Sequence, residues 1–303
     1  MKILHHRHPG DLKPQKALVL ALGVYDGVHP GHQSILQRLV HWKNEEGLTP
    51  AVWTFRSPMP KPGFERIMGS EQLIRALDKE GVEELHTLEF MDEIRNMSAE
   101  EFILEILKNG LNVKVLVVGE DARMGKNRET SAEDLCFLGE KLGIRVELVP
   151  AVRFGNEDLS STLIRKSLRN GKLDDVEAML GKSYRVGGYV QKDQGKARSM
   201  GYPTANLSMK GRATLPNGVY SAWAYTPDGP LENKVKALVY LGVRPTVQGV
   251  DHVLEVHILD WEGDLYGRYL EVRGFELIRG ELTFDSLEAL SRQISLDIEA
   301  VKS

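Results

Sequence analysis

Six consecutive apolar residues, Ala17-Leu18-Val19-Leu20-Ala21-Leu22, run directly into Gly23-Val24-Tyr25-Asp26-Gly27-Val28-His29-Pro30-Gly31-His32. A run with no polar face fits a strand covered on both sides, as in a parallel sheet. Beyond it Ile35, Leu36, Leu39 and Val40 recur at helical spacing up to Glu46, so the order is strand, glycine-rich turn, helix. That order gathers unpaired backbone N–H groups and the positive end of a helix at one point, where phosphate binds well. His29 and His32, three residues apart, stand over it.

The same alternation continues. Thr49–Phe55 reads as a strand running into a proline-rich loop around Pro58-Met59-Pro60, and Ser70–Glu80 reads as a helix with Leu73, Ile74 and Leu77 on one face. Leu85–Phe90 is a short strand candidate, and Ser98 with Glu101 forms a capping box before Phe102, Ile103, Ile106 and Leu107. Val113–Gly119, a helix over Ser131–Leu142 and a strand over Arg145–Pro150 complete the pattern. Strands alternating with helices predict an α/β, Rossmann-like domain with a parallel sheet, whose ligands bind beyond the carboxyl ends of the strands. Near Gly181-Lys182-Ser183-Tyr184 the pattern changes to short alternating runs split by glycine and proline, among them Tyr184–Val190, Gly218–Ala224, Val235–Tyr240, Val253–Leu259 and Tyr269–Val272. These predict an antiparallel β-barrel closed by a C-terminal helix, Ser286–Val301, with Leu287, Leu290, Ile294 and Ile298. The domains are therefore expected at 1–183 and 184–303.

Composition narrows the function classes. The 303 residues carry a net charge of -4, which gives no global attraction to nucleic acid or anionic membranes. A single cysteine, Cys136, excludes an internal disulfide and fits a reducing compartment; its apolar neighbours suggest a buried helix face. No apolar run reaches the ~20 residues of a spanning helix, and Met1–His8 lacks a signal-peptide core. The expectation is a cytoplasmic protein without nucleic-acid or membrane partners. His5, His6 and His8 read as a solvated terminal segment, because no ligand at metal spacing completes them.

Histidines separated by Pro-Gly also occur in plain structural turns. Placement directly after a buried strand and at a helix start points further: Gly23, Tyr25, Asp26, Gly27 and Gly31 shape a turn that approaches a nucleotide closely. There His29 and His32 can stabilise charge on an α-phosphate during nucleotidyl transfer. Ser160-Ser161-Thr162-Leu163-Ile164-Arg165 opens another helix. Alone it is explained by Ser/Thr capping; beside a first phosphate site, Ser160, Ser161, Thr162 and Arg165 form a second phosphate clamp.

Gly23 to His32 resembles the HxGH nucleotidylyltransferase signature, and Ser160 to Arg165 is similar to the SSTxIR element of the same superfamily. Their form is close to that of the bacterial bifunctional riboflavin kinase/FMN adenylyltransferase family. Gly201-Tyr202-Pro203-Thr204-Ala205-Asn206 matches the PTAN motif of riboflavin kinases. Thr204 and Asn206 offer two hard oxygens for Mg2+ and nucleotide phosphates, although such residues also satisfy their own turns. Leu254 to Asp260 resembles the family strand whose glutamate activates the ribityl hydroxyl; the matching residue is Glu255, which on an ordinary alternating strand would face solvent. By resemblance, Arg279 lies near the flavin and Lys196 is a basic residue before PTAN. The resemblance spans essentially the whole chain and implies riboflavin, FMN, FAD and ATP as ligands, with ATP as co-substrate.

Three departures stand out. The family's Asp-Phe-x-Phe-Gly reads Asp121-Ala122-Arg123-Met124-Gly125, leaving Asp121 and Met124 as the flavin contacts implied there. A Pro-His-Pro histidine is replaced by Met59, and Val24 and Tyr25 stand where Asn and Phe are common. Two alternatives follow: a riboflavin kinase making little FAD, and a non-catalytic flavin-sensing regulator. Intact Thr204, Asn206 and Glu255 oppose the second.

Overall fold

The computed structural model describes every residue except 14–15, 56–63, 89–91, 193–200, 232, 247–248 and 303. The backbone divides into two compact units, Met1–Phe64 with Leu73–Ser161, and Glu65–Gln72 with Thr162–Ser303.

The first unit is built on β1 (Lys2–His6), β2 (Leu18–Leu22), β3 (Thr49–Phe55), β4 (Glu84–Leu88), β5 (Val113–Gly119) and β6 (Arg145–Val149). All pair in parallel in the order β1-β4-β3-β2-β5-β6. Leu18 through Ala21 are at most 2 % exposed, as the unbroken apolar run requires. The chain steps outward from β2 to β3 and β4, then crosses back to place β5 on the other side of β2. The turn after β2 thus lies at the topological switch point, where such sheets open a crevice for ligands. Helix α1 (Pro30–Glu46) follows that turn, α2 (Ser70–Lys79) follows β3, and α3 (Asp92–Asn96) follows β4. The expected capping box is present: Ser98 Oγ accepts from the Glu101 amide and the Glu101 carboxylate accepts from the Ser98 amide. It opens α4 (Ala99–Glu101), which continues as a π-helical stretch, Phe102–Gly110; its buried face is the expected Phe102, Ile103, Ile106 and Leu107. These pack with Trp53, Leu116 and Leu135 in one core cluster.

Two expectations change here. Lys2–His6 is a strand rather than a solvated terminus, held to β4 by its ladder and by His5 Nδ1 to Thr87 Oγ1 (2.6 Å) and His6 Nε2 to His86 Nδ1 (3.1 Å). In α5 (Ala132–Leu142) Leu135 is buried, yet Cys136 is only half-buried and Phe137 is 74 % exposed, so the buried face is narrower than the apolar run suggests. A small hairpin of β7 (Arg153–Phe154) and β8 (Glu157–Asp158) follows β6.

In the second unit, α6 (Ser161–Arg169) and α7 (Leu173–Leu180) precede β9 (Arg185–Tyr189), β10 (Ala205–Ser208), β11 (Gly218–Tyr225), β12 (Val235–Thr246), β13 (Gly249–Ile258) and β14 (Tyr269–Arg279). The antiparallel order is β10-β13-β12-β11-β14-β9. The Gln191 amide donates to the Asn206 carbonyl (2.9 Å), bringing the two outer strands together in a nearly closed barrel. The C-terminal helix α8 (Leu287–Lys302) lays Ile294, Ile298 and Val301 against Val219, Leu238 and Leu259; Leu287, expected on this face, is 67 % exposed. Glu65–Gln72 joins this unit: the Arg66 amide donates to the Gly211 carbonyl, and Arg212 donates to Gln72 Oε1 (2.8 Å).

Candidate active sites

The first site grows from the end of β2. The Gly23 amide donates to the Trp53 carbonyl (3.1 Å), and the backbone then turns sharply, with Tyr25 at φ +52°, Gly27 at +92° and Val28 at +41°. Glycine accepts such angles freely, whereas Tyr25 and a β-branched Val28 are held there at a cost of about 1–3 kcal/mol each. The strain sits where the fold opens its crevice. His29, extended at φ -77° and 4 % exposed, is the N-cap of α1, and its side chain makes no capping bond to the first turn. Pro30 occupies the first helical position, whose amide would be unpaired in any case.

The rings of His29 and His32 stack with centroids 3.8 Å apart and planes 22° apart, and the Tyr25 ring lies 5.1 Å from His32. Gly31 makes this stack fit: a Cβ there would stand 3.2 Å from His29 Cε1 and Nδ1. Gly23 does the same for Tyr25, whose Cε2 would meet a Cβ at 3.0 Å. Burial pushes the Tyr25 phenol well above its usual range, so it stays protonated. Ser161 Oγ donates to the Asp26 carbonyl (2.7 Å), which ties the serine-rich segment to the histidine turn; Asp26 itself is 2 % exposed. Ser160 belongs to the same unit, whereas Thr162 and Arg165 group with the second, where Arg165 Nη2 donates to Thr162 Oγ1 (3.1 Å).

The loop after β5 packs inward on the core of the first unit. Met124 exchanges backbone hydrogen bonds with Thr130, and Ala122 and Met124 pack against the core cluster. Gly125, at φ +82°, fits because a Cβ would come within 2.8 Å of the Ala99 nitrogen. Asp121 is exposed, and Met59 with its flanking prolines lies outside the described residues.

The second site lies wholly in the barrel unit. A cavity of about 320 Å³ is lined by Pro203, Thr204, Asn206, Trp261, Asp264 and Tyr266 among others. Gly201, at φ +89°, turns the chain into this segment. Asn206 Nδ2 donates to the Thr204 carbonyl (3.3 Å) and Oγ1 (3.4 Å). In the ladder Asn206 stands directly opposite Glu255, and Glu255 stands opposite Tyr240. Directly paired residues share a face with Cβ atoms about 4.5–5.5 Å apart, so the structure brings together two residues the sequence singled out separately. Glu255 is beside the cavity rather than in its lining.

Arg279 is fixed by a fork to Asp297 on α8, with Nε to Oδ1 at 3.0 Å and Nη2 to Oδ2 at 2.8 Å. Lys196 lies outside the described residues. Trp261 and Tyr266 line this cavity and Asp297 holds Arg279, and sequence reasoning gave none of the three a role. Asp297 had no local signal because its partner lies on another element.

The comparisons agree with this division. A FAD synthetase family model matches residues 11–163, and a riboflavin kinase family model matches 180–303. Bifunctional riboflavin kinase/FMN adenylyltransferases are similar over nearly full length: that of Pseudomonas fluorescens is 36% identical over 97% of this chain and 95% of its own. That of Haemophilus influenzae is 33% identical over 94% and 93%, and that of Escherichia coli K12 is 32% identical over 98% and 96%. A crystal structure from Streptococcus pneumoniae, described as a macrolide-efflux protein, superimposes with a TM-score of 0.81 at 28% identity, covering 99% of each chain. No described helix is long and apolar enough to cross a membrane. With both family models matched in order and relatives above 30% identity along its length, the chain belongs to the bifunctional riboflavin kinase/FMN adenylyltransferase family.

Proposed function

We propose that the chain makes both flavin cofactors in sequence. Riboflavin and ATP give FMN and ADP in the barrel domain, 184–303; FMN and a second ATP give FAD and pyrophosphate in the parallel-sheet domain, 1–183, in the cytoplasm. The observation that carries the reading is the facing pair Asn206 and Glu255 beside the cavity that Thr204 lines, a phosphate-side amide and a carboxylate on one sheet face.

In the kinase step Glu255 accepts the proton of the ribityl 5'-hydroxyl as its oxygen forms a bond to the γ-phosphorus, and the bond from that phosphorus to the β-bridging oxygen breaks to release ADP. The Thr204 hydroxyl and the Asn206 amide oxygen suit Mg2+: both are hard oxygen donors on one wall of a cavity with room for phosphates. Those two oxygens and the nucleotide phosphates are the donors this reading assigns to the metal. When bound, Mg2+ neutralises charge on the β- and γ-phosphates.

In the adenylyl step an oxygen of the FMN phosphate attacks the α-phosphorus of ATP, and the bond to the β-bridging oxygen breaks to release pyrophosphate. His29, His32 and the first-turn amides of α1 stabilise the charge that develops on the α-phosphate oxygens. Gly23, Gly27 and Gly31 let the backbone come close, and Ser160 and Ser161 with Thr162 and Arg165 serve the nucleotide phosphates. In the barrel, Gly201 and Pro203 shape the nucleotide turn, Lys196 supplies a basic group and Arg279 serves the flavin side. Asp121 and Met124 are proposed for flavin contact in the first domain.

The test supplies riboflavin and FMN separately with ATP and Mg2+. Riboflavin must yield FMN and then FAD, and FMN must yield FAD. If FMN yields none while riboflavin is phosphorylated, the adenylyl half of the reading fails.

A further inference from the structure

The strand that carries Glu255 also carries His257, two residues further and therefore on the same face of β13. Ladder pairing of β10 with β13 runs from Ser208 opposite Val253 to Ala205 opposite Val256 and stops there. The next position along β13, His257, faces the start of the Pro203-Thr204 turn. Pro203 has no N–H, so its backbone offers the neighbouring strand no donor at that position. A side chain holds it instead: His257 Nδ1 lies 2.9 Å from the Pro203 carbonyl oxygen. A carbonyl only accepts, so Nδ1 carries the proton and the tautomer is set.

The ring is buttressed on its other side. Tyr202 meets it edge-on, with centroids 5.9 Å apart and planes 87° apart. The Tyr202 hydroxyl bonds Ser295 Oγ on α8 (2.9 Å) and reaches the Ser291 carbonyl (3.4 Å). Two elements distant in sequence, β13 and the C-terminal helix, thus converge on the one turn that presents Thr204 and Asn206.

We propose that His257 is a positioning residue for riboflavin phosphorylation: its Nδ1–H clamps the Pro203 carbonyl and so holds Thr204 and Asn206 in register with Glu255. This rests on the reading of the barrel site given above. His257 acts through the turn and touches no reacting atom.

The test compares His257→Leu with His257→Asn, whose amide N–H can reach toward the same carbonyl. Riboflavin kinase is measured against ATP at several pH values, and FAD formation from FMN is measured in each variant. His257→Leu is expected to lower kcat/KM for the kinase about 10- to 100-fold, chiefly through KM for ATP, because the nucleotide oxygens are no longer held in place. His257→Asn is expected to recover to within about threefold, with an unchanged pH profile. FAD formation stays at the parent rate in both, which shows that the first unit is intact, and an unfolding midpoint of the barrel unit close to the parent's shows that the loss of kinase activity is not unfolding. A parent-like His257→Leu kinase overturns the proposal. So does a His257→Asn variant as impaired as His257→Leu, or one whose pH profile has lost an ionisation, since a titrating His257 would be a proton carrier rather than a clamp. Glu255→Gln run in parallel separates the two claims: if it remains active, the site reading itself fails, whereas an inactive Glu255→Gln beside a parent-like His257→Leu sinks only the clamp.

Discussion

Gly31→Ala sets the fold and the chemistry against each other. Gly31 is the second residue of α1, where alanine is favoured over glycine by up to about 1 kcal/mol. The added Cβ, however, would stand 3.2 Å from both Cε1 and Nδ1 of His29. Carbon contacts prefer about 3.5–4.0 Å, so the ring must give by about 0.3 Å or more. It cannot retreat freely, because His32 is stacked on it at 3.8 Å. A misplacement of about 1 Å costs about 10²-fold in rate, so a third to half of that scales to about four- to tenfold, or about 0.8–1.4 kcal/mol of transition-state stabilisation. The assay is FAD formation from FMN at saturating ATP, with riboflavin phosphorylation by the same preparation as internal control. FAD formation should fall four- to tenfold while the kinase and the unfolding midpoint of the first unit hold or rise. A Gly31→Ala protein that makes FAD at the parent rate would refute the role given to the His29 ring.

Other perturbations probe the remaining supports. Asp297→Ala leaves the Arg279 guanidinium, 18% exposed, without its fork and should destabilise the barrel unit by about 3 kcal/mol in denaturant titration; a loss under about 1 kcal/mol would mean the fork is idle. Met124→Ala should cost the first unit about 1–2 kcal/mol through lost core packing and, as a proposed flavin contact, raise KM for FMN about three- to tenfold; an unchanged KM beside that loss of stability would make Met124 a packing residue only. Burial holds the His86 and His6 imidazoles below their ordinary pKa, with Glu84 partly opposing this at His86. The unfolded chain therefore binds protons first: the stability these residues allow is intact above about pH 6.5 and declines as pH falls below it. Amide protection factors at Leu4–His6, corrected for the slower intrinsic exchange at low pH, should fall from pH 7 to 5.5, and His86→Gln should flatten that fall; a fall unchanged in the variant contradicts the assignment.

Much of the fold was legible because its signals are local. The unbroken Leu18–Leu22 run, the capping box at Ser98 and the buried face of Phe102, Ile103, Ile106 and Leu107 need no distant partner to be read. Lys2–His6 was missed because little in Lys-Ile-Leu-His-His announces a strand; its support is the β4 ladder and the bonds to Thr87 and His86, some 80 residues away in sequence. At the sites the same division holds. The spacing of His29 and His32 placed both at one helix start, but the facing of Asn206 and Glu255 depends on a strand register with no local mark. Asp297 and His257 were invisible for that reason: each acts through a contact made only after the barrel forms.

The most direct measurement of the two-site account is the product made from riboflavin, excess ATP and Mg2+ by a His29→Ala, His32→Ala double variant. The account predicts FMN at the parent rate and FAD formation reduced at least about 10²-fold, since charge stabilisation by paired donors is worth that much. FAD made at the parent rate, or loss of FMN production together with FAD in a folded protein, would contradict it.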